Sequence, residues 1–261
     1  MYIYPYDAEG AIYMYKFLEE ITINTWPAKY SAQMNGWLVR YADGYTKRAN
    51  SVSPIYLDPG CDVEGSIAAA ERFYRDAGQP VIFKMTPYVM PSDLDERLAG
   101  RGYIQVDLSS VRILDLQRET APVADPGLHV VFRDRLDTGW LEQMSLMNGI
   151  PGHGQSVLAH TLASTPLQQG FFLLQQGSET VAAGLGVIQQ GWLGLYDIVT
   201  HPDFRQRGFG LQLIQRMLAW GREQGAHSSF LQVVQANEAA CRLYDKLGYR
   251  HVYSYWYRVL K

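Results

Sequence analysis

The chain of 261 residues has only two cysteines, Cys61 and Cys241. Far apart and without companions, they exclude a disulfide framework and any paired-cysteine zinc spacing. Charge is sparse as well: 19% of residues are charged and the net charge is −3. That balance lacks the basic footprint of a general nucleic-acid binder. Long apolar runs are missing, and the stretch VAAGLGVI is broken by glycine well before it could span a bilayer. The opening MYIYPYDAEG has neither the basic start nor the apolar core of a secretory signal. These absences lead to the expectation of a cytoplasmic globular protein with no membrane segment and no nucleic-acid partner.

What is present is an ordinary core-forming composition, 47% apolar and 13% aromatic, enough for one large or two small domains. Residues 117–127, QRETAPVADPG, are rich in proline and charge and read as a linker. The two sides of it resemble each other. Before it run a helix pattern (SIAAAERFYRDAG), a strand (PVIFKM), a second helix (PSDLDERLAGRGY) and strands (IQVDLSSVRIL). After it run LQLIQRMLAWGREQG, SSFLQVV, NEAACRLYDKLGY and RHVYSYWYRVL in the same order. The glycines closing the helices, Gly78 with Gly225 and Gly102 with Gly248, stand at nearly one offset, which points to a duplicated α/β unit. The expected domains are 1–116 and 128–261, joined by 117–127.

The halves part company at one place. The second carries VTHPDFRQRGFG, residues 199–210, after the β-rich run WLGLYDIV, while the first has DPGCDVEGS. From Gly208 onward Leu211, Ile214 and Leu218 recur at helical spacing, with Leu213 and Met217 widening the stripe. The glycines therefore fall on the first turn of a helix that follows a strand. Unpaired amides at such a helix start carry roughly half a positive charge and accept an anion. Gly208 and Gly210 lack a Cβ, so a phosphate can approach the backbone, and Arg205 and Arg207 add charge. The competing reading is a tight turn with solvated arginines. A second glycine-rich stretch, GIPGHGQS at 149–156, has Gln155 where a P-loop needs lysine and no clear strand before it.

In this context Arg205, Gly208 and Gly210 resemble motif A, [Q/R]-x-x-G-x-[G/A], of the GNAT N-acetyltransferase superfamily. The resemblance implies that Ile198, Val199 and Thr200 lend backbone groups to a pantetheine arm. It also implies that the loop through Arg205, Gln206, Arg207, Gly208, Phe209, Gly210 and Leu211 holds the pyrophosphate of acetyl-CoA. The family further asks for a strand, an asparagine and a helix carrying a tyrosine, and FLQVVQANEAACRLYDKLGY is similar to that segment. Asn237 is a good helix N-cap, and Ala240, Leu243, Tyr244 and Leu247 follow at helical spacing up to Gly248. By the resemblance Asn237 contacts the cofactor and Tyr244 protonates the departing sulfur. A core aromatic is the alternative for Tyr244.

The chemistry fits a phenol, whose pKa of about 10 nearly balances a thiol near 8.5. A lysine-like acceptor, pKa about 10.4, is only about 0.1% neutral near pH 7.4, roughly 4 kcal/mol to supply. Gln232 stands where many relatives carry a glutamate base. Asp197 is the first substitute and His153 the second; a hydrogen-bonded strand-end carboxylate is the alternative for Asp197. Residues 24–54 are also similar to the N-terminal region of a bacterial GNAT subgroup with a W-P-A…G-W-x-x-R…R-A-N-S-V pattern. Trp26, Pro27, Gly36, Trp37, Arg40, Arg48, Ala49, Asn50 and Ser51 carry it.

The expected fold is α/β (α+β): tandem GNAT-like domains, each a mixed twisted sheet flanked by helices, the first degenerate and the second catalytic. The expected function is acetyl-CoA-dependent N-acetyl transfer by direct attack in a ternary complex, with no metal. The acceptor is an amine-bearing small molecule, peptide or protein, and a homodimer is possible. A non-catalytic CoA-binding regulator and a transferase of longer acyl chains are the other readings, and Gln232 favours the former.

Overall fold

The computed structural model describes residues 8–58, 60–118 and 125–260. Most of the stretch read as a linker, 119–124, lies outside them. In chain order the elements are α1 (Ala8–Thr25), β1 (Tyr30–Met34), β2 (Trp37–Tyr41), β3 (Val52–Ser53), α2 (Val63–Asp76), β4 (Val81–Met85), α3 (Leu94–Gly100) and β5 (Ile104–Asp115). There follow β6 (Leu128–Arg133), α4 (Thr138–Asn148), α5 (Gly152–Ala163), β7 (Gln168–Gln176), β8 (Glu179–Gln189) and β9 (Trp192–Thr200). The last are α6 (Phe209–Glu223), β10 (Ser228–Val234), α7 (Glu238–Lys246) and β11 (Arg250–Leu260). The helix–strand–helix–strand order read on each side is α2-β4-α3-β5 and α6-β10-α7-β11. All four matched glycines, Gly78, Gly102, Gly225 and Gly248, take left-handed φ after their helices.

Two compact units form. The first holds the described residues up to Val111, with Val234–Ala236 and 252–260; the second holds Arg112–Val233 and Asn237–His251. In the first unit β11 pairs antiparallel with β4, Trp256 opposite Met85 and Leu260 opposite Val81, and β3 pairs parallel with β4. The chain's last strand therefore completes this sheet. Its core sets Trp37, Val39, Phe83 and Met85 against Ile67, Ala70 and Tyr74 of α2 and Leu94 and Leu98 of α3.

The residues of the W-P-A…R-A-N-S pattern build a polar hub inside this unit. Arg40 is buried, and its guanidinium donates to the carbonyls of Ile23 and Trp26, where α1 ends, and of Arg48 at 2.7 Å. It thus caps the negative end of α1, which Pro27 then stops. Asn50 ties the following loop: its Oδ1 accepts from the amides of Ala42 (2.7 Å) and Gly44 (3.0 Å), and its Nδ2 donates to Tyr45 (2.8 Å) and Thr46 (2.9 Å) carbonyls. Removing that side chain strands the buried amide of Ala42 and unties the Gly44 amide and the Tyr45 and Thr46 carbonyls. We expect Asn50→Ala to cost about 2–3 kcal/mol of stability in urea unfolding. A loss below about 1 kcal/mol would remove this account of the motif.

The second unit orders its strands β10-β9-β8-β7-β6. β6 to β9 run antiparallel, and β10 joins β9 in parallel. α6 buries Leu213, Ile214, Met217 and Leu218 on this sheet. Each such side chain contributes about 1.5–3 kcal/mol, so the helix start is held firmly. The GIPGHGQS stretch is a corner between α4 and α5, with Pro151 before α5 and no strand leading in.

Candidate active site

Two irregularities of the second unit's sheet place the candidate residues. First, β9 and β10 are paired only over Trp192–Gly194 and Ser228–Phe230. β9 continues to Thr200 and β10 to Val234, so beyond that short stretch the two parallel neighbours are not hydrogen-bonded to each other. Ile198, Val199 and Thr200 lie on that end of β9. Second, the β8–β9 register slips between Ala183 and Leu185: Val199 faces Ala183 and Tyr196 faces Leu185. Asp197 and Ile198 together oppose Gly184, a bulge with Asp197 at φ 49°. Bulges turn side chains out of the sheet's alternation and increase twist next to sites.

Beyond Thr200 a short 3₁₀ turn, Pro202–Phe204, leads to the arginines. Gln206 and Gly208 both take left-handed φ, 63° and 81°. For glutamine this costs about 1 kcal/mol. Gly208 is the N-cap of α6 and supplies no capping side chain; the helix's bonding begins with the Gln212 amide on the Gly208 carbonyl. Among the described residues no hydrogen bond leaves the amides of 206–211. A Cβ on Gly208 would meet nothing within 4 Å. The result is a bare, positively polarised helix start.

The two arginines differ. Arg205 is exposed, with a long 3.5 Å contact from its Nε to the Thr200 carbonyl. Arg207 lies over the rings of Phe204 (5.2 Å) and Phe209 (5.0 Å) and donates to Gln176 Oε1 at 2.9 Å. It is a braced cation rather than a free one.

Gly210 is buried, and the sequence argument for it changes. A Cβ there would stand 3.2 Å from Thr200 Oγ1 and 3.4 Å from Leu243 Cδ2. The end of β9, the start of α6 and the middle of α7 meet at this glycine, so it serves close packing. Leu211 is half-buried beside it.

Asn237 caps α7, its Oδ1 accepting from the Ala240 amide at 3.2 Å. Tyr244 packs among Leu247, Tyr249 and Leu114, its ring edge-on to Tyr249 at 5.8 Å. It is both core aromatic and candidate acid. Its hydroxyl makes no hydrogen bond among the described residues. Burial pushes its pKa up to about 12, nearby Cys241 adds to the rise, and Arg112 opposes it. Gln232 is half-buried on β10, and His153 is exposed in the first turn of α5.

In the first unit, the helix matching α6 opens differently. Asp62 precedes α2, and Glu64 lies in its first turn, held by Arg97 at 2.9 Å and by Arg101. An acidic helix start repels the anion that a bare one attracts. No group of metal-ligating side chains occurs among the described residues, and no described helix is long and apolar enough to cross a membrane.

The chain is similar to a GCN5-related N-acetyltransferase from Kribbella flavida, with TM-score 0.70 at 15% identity over 94% of each chain. It is also similar to a tandem GNAT protein from the clavulanic acid biosynthesis pathway, with TM-score 0.67 at 10% identity over 97% of this chain and 95% of that one. In sequence it is 28% identical over 244 residues to the uncharacterized N-acetyltransferase YobR of Bacillus subtilis (strain 168), covering 93% of this chain and 97% of the relative. Residues 15–258 match the family model described as probable histone acetyltransferase Rv0428c C-terminal. The chain belongs to this family of GNAT N-acetyltransferases.

Proposed function

We propose that the chain transfers an acetyl group from acetyl-CoA to an amine in a ternary complex, with the second unit as the catalytic one. The observation that carries this is the meeting of three parts at Gly210: the end of β9 that β10 no longer pairs, the bare start of α6 and the helix bearing Tyr244. These residues fit the cofactor. The amides of 206–211 and the Arg205 guanidinium suit a pyrophosphate, and the edge of Ile198, Val199 and Thr200 opposite β8, beyond the β10 pairing, suits an amide-bearing arm. Acetyl-CoA, when bound, supplies the activated acetyl group as a thioester.

The protein's own part is proton management. Tyr244 Oη holds its proton across the neutral range, the state a donor needs, and with no hydrogen bond to the described residues that proton is available. Asp197, at the β9 bulge, is the carboxylate proposed to take the amine's proton, directly or through water, in place of the glutamate that Gln232 replaces. A half-buried carboxylate can offset part of the roughly 4 kcal/mol needed to neutralise a lysine-like amine. His153 is the other proposed base. The acceptor is proposed to be a protein or peptide amine, a reading supported by the description of the matching family as a probable histone acetyltransferase.

Calorimetry with acetyl-CoA tests the core of this. The expected result is a single site of micromolar affinity, followed by release of free thiol when a panel of peptide amines, lysines and small amines is added. A folded protein that binds neither acetyl-CoA, CoA nor a longer acyl-CoA overturns the proposal. Binding without turnover of any amine leaves the regulator reading in its place.

A further inference from the structure

Arg112 lies on β5 and carries a nearly buried charge that the proposed chemistry does not use; its side chain is 12% exposed. Its Nη1 donates to Asp245 Oδ1 at 2.5 Å and to the Cys241 carbonyl at 3.3 Å. Those acceptors stand one helical turn apart on α7, and Tyr244 lies on the turn between them. α7 has nine residues, well under the length at which a helix is stable alone, so external holds decide where it sits. At its start the hold is Asn237; along one face it is Leu243, Tyr244 and Leu247. On the turn that carries the phenol it is Arg112.

We propose that Arg112 is a positioning residue of the transferase site, fixing the Cys241–Asp245 turn from β5 so that the Tyr244 hydroxyl keeps its place. This rests on the reading of Tyr244 as the acid. The groups around the phenol are Cys241 and Asp245 on its own helix, Arg112 from β5, the Tyr249 ring, and His251 of β11 near Arg112. Arg112 is the basic side chain among them that grips α7 itself, through a carbonyl and a carboxylate.

The test uses CoA beside acetyl-CoA, whose sulfur carries no proton. Comparing their calorimetric affinities at about pH 7 and about pH 9.5 reports how well the site favours a thiolate. Tyr244→Phe is expected to weaken CoA relative to acetyl-CoA by about fivefold at the higher pH, through loss of a hydrogen bond to a charged sulfur. Arg112→Met is expected to give nearly the same loss, with acetyl-CoA affinity itself within about threefold of the parent protein, and Arg112→Lys to recover most of it. In a Tyr244→Phe background Arg112→Met adds nothing, because it acts through the hydroxyl already removed. Asp245→Asn, which breaks the ion pair alone, gives about a twofold loss in the same direction and serves if Arg112→Met does not fold. A parent-like ratio for these variants, or full additivity in the double variant, overturns the role of Arg112 while leaving Tyr244 in place. A parent-like ratio for Tyr244→Phe overturns the acid reading itself, and the role of Arg112 with it.

Discussion

Gly208→Glu is expected to lower acetyl-CoA affinity by about 100-fold or more, with stability within about 1 kcal/mol of the parent protein. The backbone at Gly208 has φ 81° and ψ 1°, a conformation costing a side chain about 1–2 kcal/mol. A Cβ there meets no neighbour within 4 Å, so no clash adds to that strain. A carboxylate over the first turn of α6 recovers about 0.3–1 kcal/mol from the helix start it faces. Folding therefore stays nearly balanced. Binding does not, because the new carboxylate takes the bare amides and places a negative charge where a pyrophosphate would sit. Gly208→Ala separates the two effects: it carries the same strain without the charge, and should cost less than about tenfold in affinity. Parallel calorimetry and urea unfolding check both. Parent-like binding by the glutamate variant would remove the turn from the site, leaving Arg205 as a solvated turn arginine and Arg207 as a cation braced on Phe204 and Phe209.

The helix start was legible because several local rules agree there: a β-rich run, turn chemistry, then apolar spacing that begins just past a glycine. The capping asparagine was legible for the same reason, and Asn237 caps α7 as its residue type predicts. The splay of β9 from β10 was not. It is a change in pairing between strands 36 residues apart in register, Trp192 with Ser228, and no residue within WLGLYDIV or SSFLQVV announces where their hydrogen bonding stops. The bulge at Asp197 was hidden likewise, since its cause is a register slip against β8. Gly210 was read for phosphate approach, whereas its buried neighbours Thr200 and Leu243 come from two elements that the linear sequence keeps apart. Arg112 escaped notice because its partners lie 129 and 133 residues away. The place of β11 is the same kind of case: RHVYSYWYRVL reads as a strand, but its partner β4 is set by tertiary pairing. In the N-terminal unit the pattern residues could be recognised as a set, yet their burial around the end of α1 follows only from where β2 runs.

The other large effect is expected at Tyr244. Tyr244→Phe should lower kcat by about 10²–10³-fold while leaving acetyl-CoA affinity within about threefold. The substitution keeps the ring against Tyr249 and removes a hydroxyl that makes no hydrogen bond among the described residues, so stability should change by less than about 0.5 kcal/mol. The loss is then one of chemistry: without a donor the sulfur must depart as a bare thiolate. The raised pKa of about 12 fixes the sign of the pH dependence. Burial disfavours the phenolate, so the group is still a phenol at alkaline pH, and the parent profile of kcat should show no fall from Tyr244 ionisation below about pH 10. The same burial disfavours the thiolate of any sulfur lodged beside it, raising that thiol's pKa too, which keeps the proton transfer closer to balance than the phenol's value alone suggests. Asp197→Asn, which removes the proposed base, should lower kcat and leave the alkaline side flat. Turnover by Tyr244→Phe at the parent rate across this range would mean that the leaving sulfur is protonated by water or another group, and that Tyr244 is held by the core alone.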